Sequence, residues 1–184
     1  MAQKNTLRFV ILGLLSKEDL SGYDMKKRFE GEIGDFWYSN HSQIYPELRK
    51  MEEAGLVKPQ TQIVGQKMEK KSYHMTDAGR EALLEWLQKP LGALLPSRDE
   101  FAMKLYLIDD PADPEARRLF QEEIIRHEEK LAYLKTRWTV LFASEEDQSH
   151  HFGHAAVLLH AIQRETQHLR WVKKTLRSLP NSAE

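Results

Sequence analysis

The sequence predicts a mainly α-helical protein with one small β-hairpin, made of an N-terminal winged helix-turn-helix and a C-terminal helical domain. Two observations predict this fold class. From residue 40 to residue 75 the chain reads as a short polar-fronted helix, a glycine stop, a strand, a basic turn and a second strand. Beyond residue 114, apolar residues recur at helical spacing through two long segments.

Composition restricts the class of protein. With 41% hydrophobic and 30% charged residues among 184, the chain is typical of a helix-rich soluble protein of one ordinary or two small domains. The absence of cysteine excludes disulfides and thiolate metal sites. No apolar run reaches the length of about 18 residues that a membrane span needs, so we expect a cytoplasmic protein without a membrane partner. The net charge of -1 gives no general indication of nucleic acid, although the first 76 residues hold 12 basic and 10 acidic side chains.

The N-terminal segments predict two supporting helices. Residues 7–15 form an apolar segment whose spacing favours a core helix over a strand. A second helix is expected from residue 21 to about residue 32, with Tyr23 and Phe29 facing inward and Gly31 and Gly34 at its end. An aromatic cluster, residues 36–38, precedes the next helix.

The next helix is the candidate recognition helix. It is expected to start near His41 or Ser42, and Pro46 must fall close to its first turn, where a missing backbone donor costs little. Ile44, Leu48 and Met51 form its inward stripe, and Gly55 supplies a left-handed stop. Ser39, Asn40 and Ser42 are each able to cap its start.

Two strands and a helix complete the first domain. Residues 56–64 predict a strand that Pro59 places at a sheet edge, and residues 70–75 predict the return strand after a turn at 65–67. Thr76 caps a helix over 77–88, whose predicted buried side chains are Leu83, Leu84, Trp86 and Leu87. The stretch 90–98 is the most linker-like, so we expect domains at 1–90 and 98–180.

The C-terminal domain is predicted to be helical. A short helix covers 100–108, and Pro114 begins a helix that runs to about residue 143, roughly 45 Å long. A last helix covers 152–179. Both long helices carry narrow apolar stripes that suit pairing with other helices. The stripes are Leu119, Ile124, Leu131, Leu134, Trp138 and Leu141 on the first, and Val157, Leu158, Ile162, Leu169, Val172 and Leu176 on the second.

The polar face of the recognition helix indicates DNA binding. Asparagine and glutamine suit adenine, arginine suits guanine, and tyrosine, serine and lysine suit phosphate. These types are also common on a solvated helix face, but the glycine, the strand pair and the basic turn follow in the order of a winged helix. The turn lysines, by which we mean Lys67, Lys70 and Lys71 in the turn and at the start of the return strand, are candidate phosphate contacts. Alternatively, they form a charged edge that blocks aggregation. The candidate DNA-binding residues are Asn40, His41, Ser42, Gln43, Tyr45, Arg49, Lys50, Lys67, Lys70 and Lys71.

Lys104 lies in a segment that is apolar almost all round, so we expect its ammonium group to be partly buried and to need a partner. One interpretation is an ion pair with Glu100 or a side chain that reaches water. The other is a site for an anionic small molecule, with His154 as a second donor. Phe101 and Phe152 adjoin these two residues and complete the candidate effector-binding set.

Sequence motifs for catalysis and metal binding are missing. His150, His151 and His154 suggest a metal site, but the cluster lies at the expected start of a helix, where exposed polar residues are ordinary. His127 and Glu128 resemble half of a zinc-protease motif, and Leu131 stands where the second histidine would be needed. With no phosphate-binding loop or nucleophile elbow either, we expect no enzyme, no cofactor, no catalytic residue and no metal.

Five segments taken together resemble the PadR family of bacterial transcription regulators. The segments are Leu12-Gly13-Leu14-Leu15, Ser21-Gly22-Tyr23-Asp24, Ile44-Tyr45-Pro46-Glu47-Leu48, Glu53-Ala54-Gly55-Leu56-Val57 and Tyr73-His74-Met75-Thr76-Asp77-Ala78-Gly79. The C-terminal half is similar to the longer subgroup that includes repressors of phenolic acid decarboxylase genes.

The resemblance implies a homodimer paired through the C-terminal helices and released from its operator by a phenolic acid such as p-coumarate. It places Gln43, Tyr45, Arg49 and the turn lysines at DNA, and Lys104 and His154 near the effector. Many family members carry arginine in the turn where this chain has lysine. Some members bind flat aromatic drugs instead of phenolic acids.

We therefore expect a homodimeric repressor that binds an inverted-repeat operator on double-stranded DNA and responds to a small aromatic acid. Two alternatives stay open. One is a protein-interaction adaptor that uses the same fold without DNA, and the other is a zinc-dependent sensor or enzyme built on the histidines at 150–154.

Overall fold

The computed structural model describes residues 3–34, 37, 41–64, 68–93 and 99–180. The chain divides into two compact units, residues 1–93 and 94–184. The first contains α1 (Gln3–Leu15), β1 (Leu20–Ser21), α2 (Gly22–Arg28), α3 (Ile44–Glu53), β2 (Val57–Val64), β3 (Met68–Met75) and α4 (Asp77–Gln88). The second contains α5 (Glu100–Tyr106), α6 (Pro114–Leu141), α7 (Glu145–His150) and α8 (Phe152–Ser178). The predicted fold class is confirmed.

The N-terminal unit packs α1, α2 and α3 on an antiparallel sheet of order β1-β3-β2. Pro59 lies on β2, which is an edge strand as predicted, and its missing N–H therefore costs no ladder bond to a third strand. The pairing of β2 with β3 runs from Val57 opposite Met75 to Val64 opposite Met68. The two-residue strand β1 was not predicted, because two residues are too few to show alternation.

The predicted helix signals of this unit have mixed outcomes. Thr76 caps α4 by accepting from the Gly79 N–H at 3.1 Å, and Phe29 is buried. Instead of continuing to residue 32 as one α-helix, α2 widens into a π-helical turn, Phe29–Ile33. Tyr23 was expected inside and is 57% exposed. Tyr23 lies in the first turn of α2, which starts with the capping box formed by the Ser21 and Asp24 side chains.

On α4 the predicted buried face is only partly right. Trp86 stacks on Phe9 at 4.9 Å between ring centroids, and Leu83 packs against the core. Leu84 and Leu87 are exposed. The helix touches the core of its own unit along one narrow side, so the wide apolar face exceeds what that core covers.

The C-terminal unit is organised by α6 lying along α8. Asp113 caps α6, and Pro114 occupies its first turn as predicted. Two apolar clusters form between the helices, one around Leu134 and Leu158 and the other around Phe120 and Val172. The predicted stripe of α8 is wrong at Val157, which is exposed. The short helix α7 was not predicted. Among the described residues, no helix has the length and apolar character to span a membrane.

Candidate functional site

The helix α3 divides cleanly into a buried and an exposed face. Ile44, Leu48 and Met51 are completely buried, as predicted. A 3₁₀ turn, His41–Gln43, leads into the helix, and its N-cap residue Gln43 makes no side-chain capping hydrogen bond. The expected caps Ser39 and Asn40 lie outside the described residues. Gly55 follows with φ of +69°, which confirms the left-handed stop. The apolar stripe thus fixes which side of α3 faces water.

The exposed face of α3 presents the polar side chains that the sequence placed there. Ser42, Gln43, Tyr45, Arg49 and Lys50 are all exposed. For His41 only the backbone is described, and Asn40 lies outside the described residues. Base edges offer paired donors and acceptors, which the amide of Gln43 and the guanidinium of Arg49 can meet.

Contacts that sequence reasoning missed hold α3 in place. The buried Glu47 carboxylate accepts from Arg8 Nε of α1 at 3.0 Å, and Lys50 Nζ lies 3.9 Å from its other oxygen. The Tyr45 ring lies on Gly22, where a Cβ would come within 2.5 Å of Cε1. The Arg8–Glu47 and Tyr45–Gly22 contacts join residues far apart in sequence, so periodicity gives no signal for them.

Of the candidate lysines Lys67, Lys70 and Lys71, only Lys71 on β3 has a described side chain. Its Nζ lies 3.3 Å from a Glu52 carboxylate oxygen and 5.0 Å from the centre of the Tyr73 ring. The hydrogen bond with Tyr73, followed by that with Glu52, holds the pKa of Lys71 above its ordinary value. Lys71 therefore ties the hairpin to α3. Lys67 lies outside the described residues, and the side chain of Lys70 is not described.

Lys104 is not buried, contrary to the expectation. Its side chain is 56% exposed and pairs with Glu100 at 2.7 Å, which is the simpler of the two interpretations offered by the sequence. The ammonium group lowers the pKa of the Glu100 carboxyl through their hydrogen bond. The helix α5 turns mainly Phe101 inward, and Met103 and Tyr106 are exposed.

The four candidate effector residues fall in two places within this unit. Phe101 and Lys104 line a cleft of about 210 Å³ beside α6. The His154 ring packs on Phe142, with centroids 5.2 Å apart, and Phe152 is exposed. His154 precedes His168 by fourteen residues of α8, about 21 Å, and it is His168 that packs near Phe101.

A larger cleft, of about 650 Å³, was not anticipated from the sequence. It opens between α5, α6 and α8, and its lining is mostly charged: Asp99, Glu100, Phe101, Glu123, Arg126, His127, Arg164, Glu165 and His168. Among the described residues, one group of three metal-ligating side chains converges, namely Glu123, His127 and His168. The histidines at 150–154 do not belong to it. His150 hydrogen-bonds the Glu146 carbonyl at 2.9 Å.

Comparison with known proteins gives consistent results for both units. Residues 11–85 match the Transcriptional regulator PadR-like family, and residues 97–179 match the Virulence activator alpha C-term family. The Negative transcriptional regulator PadR of Bacillus subtilis is 40% identical over 92% of this chain and 95% of its own.

Two solved structures of that B. subtilis protein are similar to this chain throughout. The complex with operator DNA has a TM-score of 0.87 at 38% identity, covering 95% of this chain and 99% of that one. The complex with p-coumaric acid has a TM-score of 0.82 at 36% identity, covering 94% and 98%. Relatives with such names are regulators, which confirms the expectation that this chain is not an enzyme.

Proposed function

Because the chain belongs to the PadR-like family of transcriptional regulators, we propose that it is a repressor that binds operator DNA through its N-terminal unit. The observation that carries the proposal is the division of α3. A completely buried stripe holds the helix, and a polar row faces water along its other side. The similarity to a protein solved on operator DNA supports it. A DNA-binding repressor of this kind acts in the cytoplasm.

The proposed division of labour follows side-chain chemistry. Gln43 and Arg49 read base edges, because an amide and a guanidinium each make paired hydrogen bonds. Ser42, Tyr45 and Lys50 hold phosphates, which fixes the register of the helix on the duplex. Asn40, His41, Lys67, Lys70 and Lys71 extend the contact on either side. Of these, Lys71 contributes least, because Glu52 already neutralises it.

We also propose that two chains pair through α6 and α8 and read an inverted repeat. Each chain leaves large apolar side chains exposed on these helices, which favours a partner surface. They are Ile125, Tyr133, Val140, Leu159 and Trp171. A two-fold dimer would present two recognition helices about 34 Å apart, one turn of DNA.

The proposed effector is a phenolic acid such as p-coumarate, which releases the DNA. The similarity to a protein solved with p-coumaric acid supports this choice. Lys104 lines the same cleft as the Phe101 ring, and its ammonium group would exchange its partner Glu100 for the carboxylate of an aromatic acid. His154 and Phe152, in the first turn of α8, are proposed to act in the same response to the acid. The acid shifts the protein only as far as it discriminates between DNA-bound and released states.

The test is binding of the purified protein to the promoter DNA upstream of its own gene, at two salt concentrations, with and without p-coumarate. We expect selective binding that weakens steeply with salt, since phosphate contacts release counterions. Arg49→Ala should abolish selectivity over random DNA, and the matched control Arg80→Ala, on the exposed side of α4, should not.

Each outcome separates one part of the proposal. Release by p-coumarate supports both the DNA and the effector assignments. Selective binding without release retains the repressor and rejects the phenolic acid. Absence of selective binding rejects the repressor and favours the protein-interaction adaptor.

A further inference from the structure

We infer that the C-terminal unit binds one divalent transition-metal ion, with zinc as the best match, between α6 and α8. The ligands are Glu123, His127 and His168, and Glu165 orients His127. Sequence reasoning predicted no metal because it sought spacing within one segment. Here the ligands come from two helices that are distant in the sequence, so no single sequence motif contains all of them.

The four residues form a polar layer in an otherwise apolar helix pair. The cluster around Leu134 lies on one side of the layer and the cluster around Phe120 on the other. Glu123 and Glu165 are only 4% and 5% exposed. Buried carboxylates are costly unless a cation or several donors compensate them, and here the imidazoles and arginines of the two helices surround both carboxylates.

The ligand atoms already converge on one point. Glu123 Oε1 lies 2.9 Å from His127 Nε2 and 2.8 Å from His168 Nε2. The two imidazole rings have centroids 4.2 Å apart, and the three ligand atoms all lie within 4.8 Å of one another. Two imidazole nitrogens and a carboxylate oxygen are a ligand set that zinc accepts.

The other nitrogen of His127 has the partner that metal-binding histidines usually have. With Nδ1–H donating to Glu165 Oε2, the Nε2 lone pair is available to a metal ion in place of the present contact with Glu123 Oε1. A carboxylate behind a histidine fixes the ring tautomer and raises its basicity in metal sites. Glu165 is therefore a positioning residue rather than a ligand.

Arginines fix the carboxylates from outside. Arg126 pairs with Glu123 Oε2, the oxygen that faces away from the histidines. Arg164 Nη2 lies 3.4 Å from Glu165 Oε1, again the outer oxygen. Each carboxylate thus keeps one oxygen for the layer, and its orientation is set by contacts that a bound ion would not disturb.

For the two contacts of Glu123 Oε1, metal entry requires only a small movement. Zinc bonds of about 2.0–2.1 Å in a tetrahedron separate ligand atoms by about 3.3 Å, so these contacts must widen by about half an ångström. The adjoining cleft of about 650 Å³ leaves room for this movement and for a fourth ligand. The arrangement also matches bundle proteins, in which glutamate and histidine from facing helices build metal sites.

The test uses the full chain, purified without a histidine tag and treated with a chelator, then titrated with Zn²⁺ against a chromophoric competitor. We expect one ion per chain. His168→Gln and Glu123→Gln should abolish binding, and Glu165→Gln should weaken it about tenfold. His150→Gln and Glu128→Gln, at exposed positions, are the matched controls and should bind as the unmodified chain does.

Absence of saturable binding, or equal affinity in His168→Gln, would overturn the proposal and leave a hydrogen-bonded layer. Circular dichroism shows whether each variant folds. If the variants do not fold, Co²⁺ added to the unmodified chain decides. Paramagnetic shifts of the His127 and His168 ring signals support the site, and shifts confined to other histidines reject it. No DNA is present, so the result is independent of the repressor proposal.

Discussion

Replacing Gly79 by alanine tests how closely α4 approaches the rest of the N-terminal unit. A Cβ at Gly79 would lie 2.2 Å from the Leu56 carbonyl oxygen and 3.2 Å from a methyl of Leu12. The backbone must therefore move by about 1 Å, and overpacking of this kind costs about 1–3 kcal/mol. The same oxygen accepts from the Thr76 N–H at 3.1 Å, and losing that bond adds about 1 kcal/mol.

The helix propensity of alanine offsets about 1 kcal/mol of this cost, so Gly79→Ala should lower the free energy of unfolding by about 1–3 kcal/mol. Gly13→Ala is the matched control. It makes the same chemical change inside α1, where a Cβ meets nothing within 4 Å, and should stabilise by about 0.5–1 kcal/mol. Hydrogen exchange of buried α1 amides reports the opening free energy of this unit. Equal effects of the two substitutions would refute the close approach.

Two further predictions concern side-chain contacts. Arg8→Ala leaves the buried Glu47 carboxylate without its nearest donor and should cost about 1–3 kcal/mol in the same exchange measurement; a change below about 0.5 kcal/mol would mean that the ion pair contributes little. The Ser144 hydroxyl holds the pKa of Asp147 below its ordinary value, so Ser144→Ala should raise that pKa in a carboxyl ¹³C titration. Because a lowered folded pKa stabilises above the unfolded value, this capping contribution is lost as pH falls through the folded pKa, and an unchanged titration would contradict it.

Sequence reasoning succeeded where a local rule determines the structure. The helical spacing of apolar residues predicted the buried stripe of Ile44, Leu48 and Met51, and a left-handed glycine predicted the end of α3. The same spacing placed Arg49 and Lys50 on the exposed side. Their contact with DNA stays a prediction, because exposure is necessary for it but not sufficient.

Prediction from the sequence failed where the residues that pack against a side chain are distant in the chain. Tyr23, Leu84 and Val157 were expected inside because apolar side chains usually mark a buried face. Periodicity shows which face is apolar, but it does not show whether the same unit covers that face. For Lys104 the error was similar, since a segment of seven helical residues has too few neighbours to bury all of its sides.

The polar layer of the C-terminal unit shows the opposite error, in which charged side chains occupy a seam that the sequence predicts to be apolar. Glu123 and His127 lie one turn apart on α6, and Glu165 and His168 lie almost one turn apart on α8. Each pair alone resembles a solvated helix face. Only the packing of α6 on α8 turns both pairs inward at the same level, and only then does their chemistry become specific. A buried charged layer also penalises any helix register that separates its members.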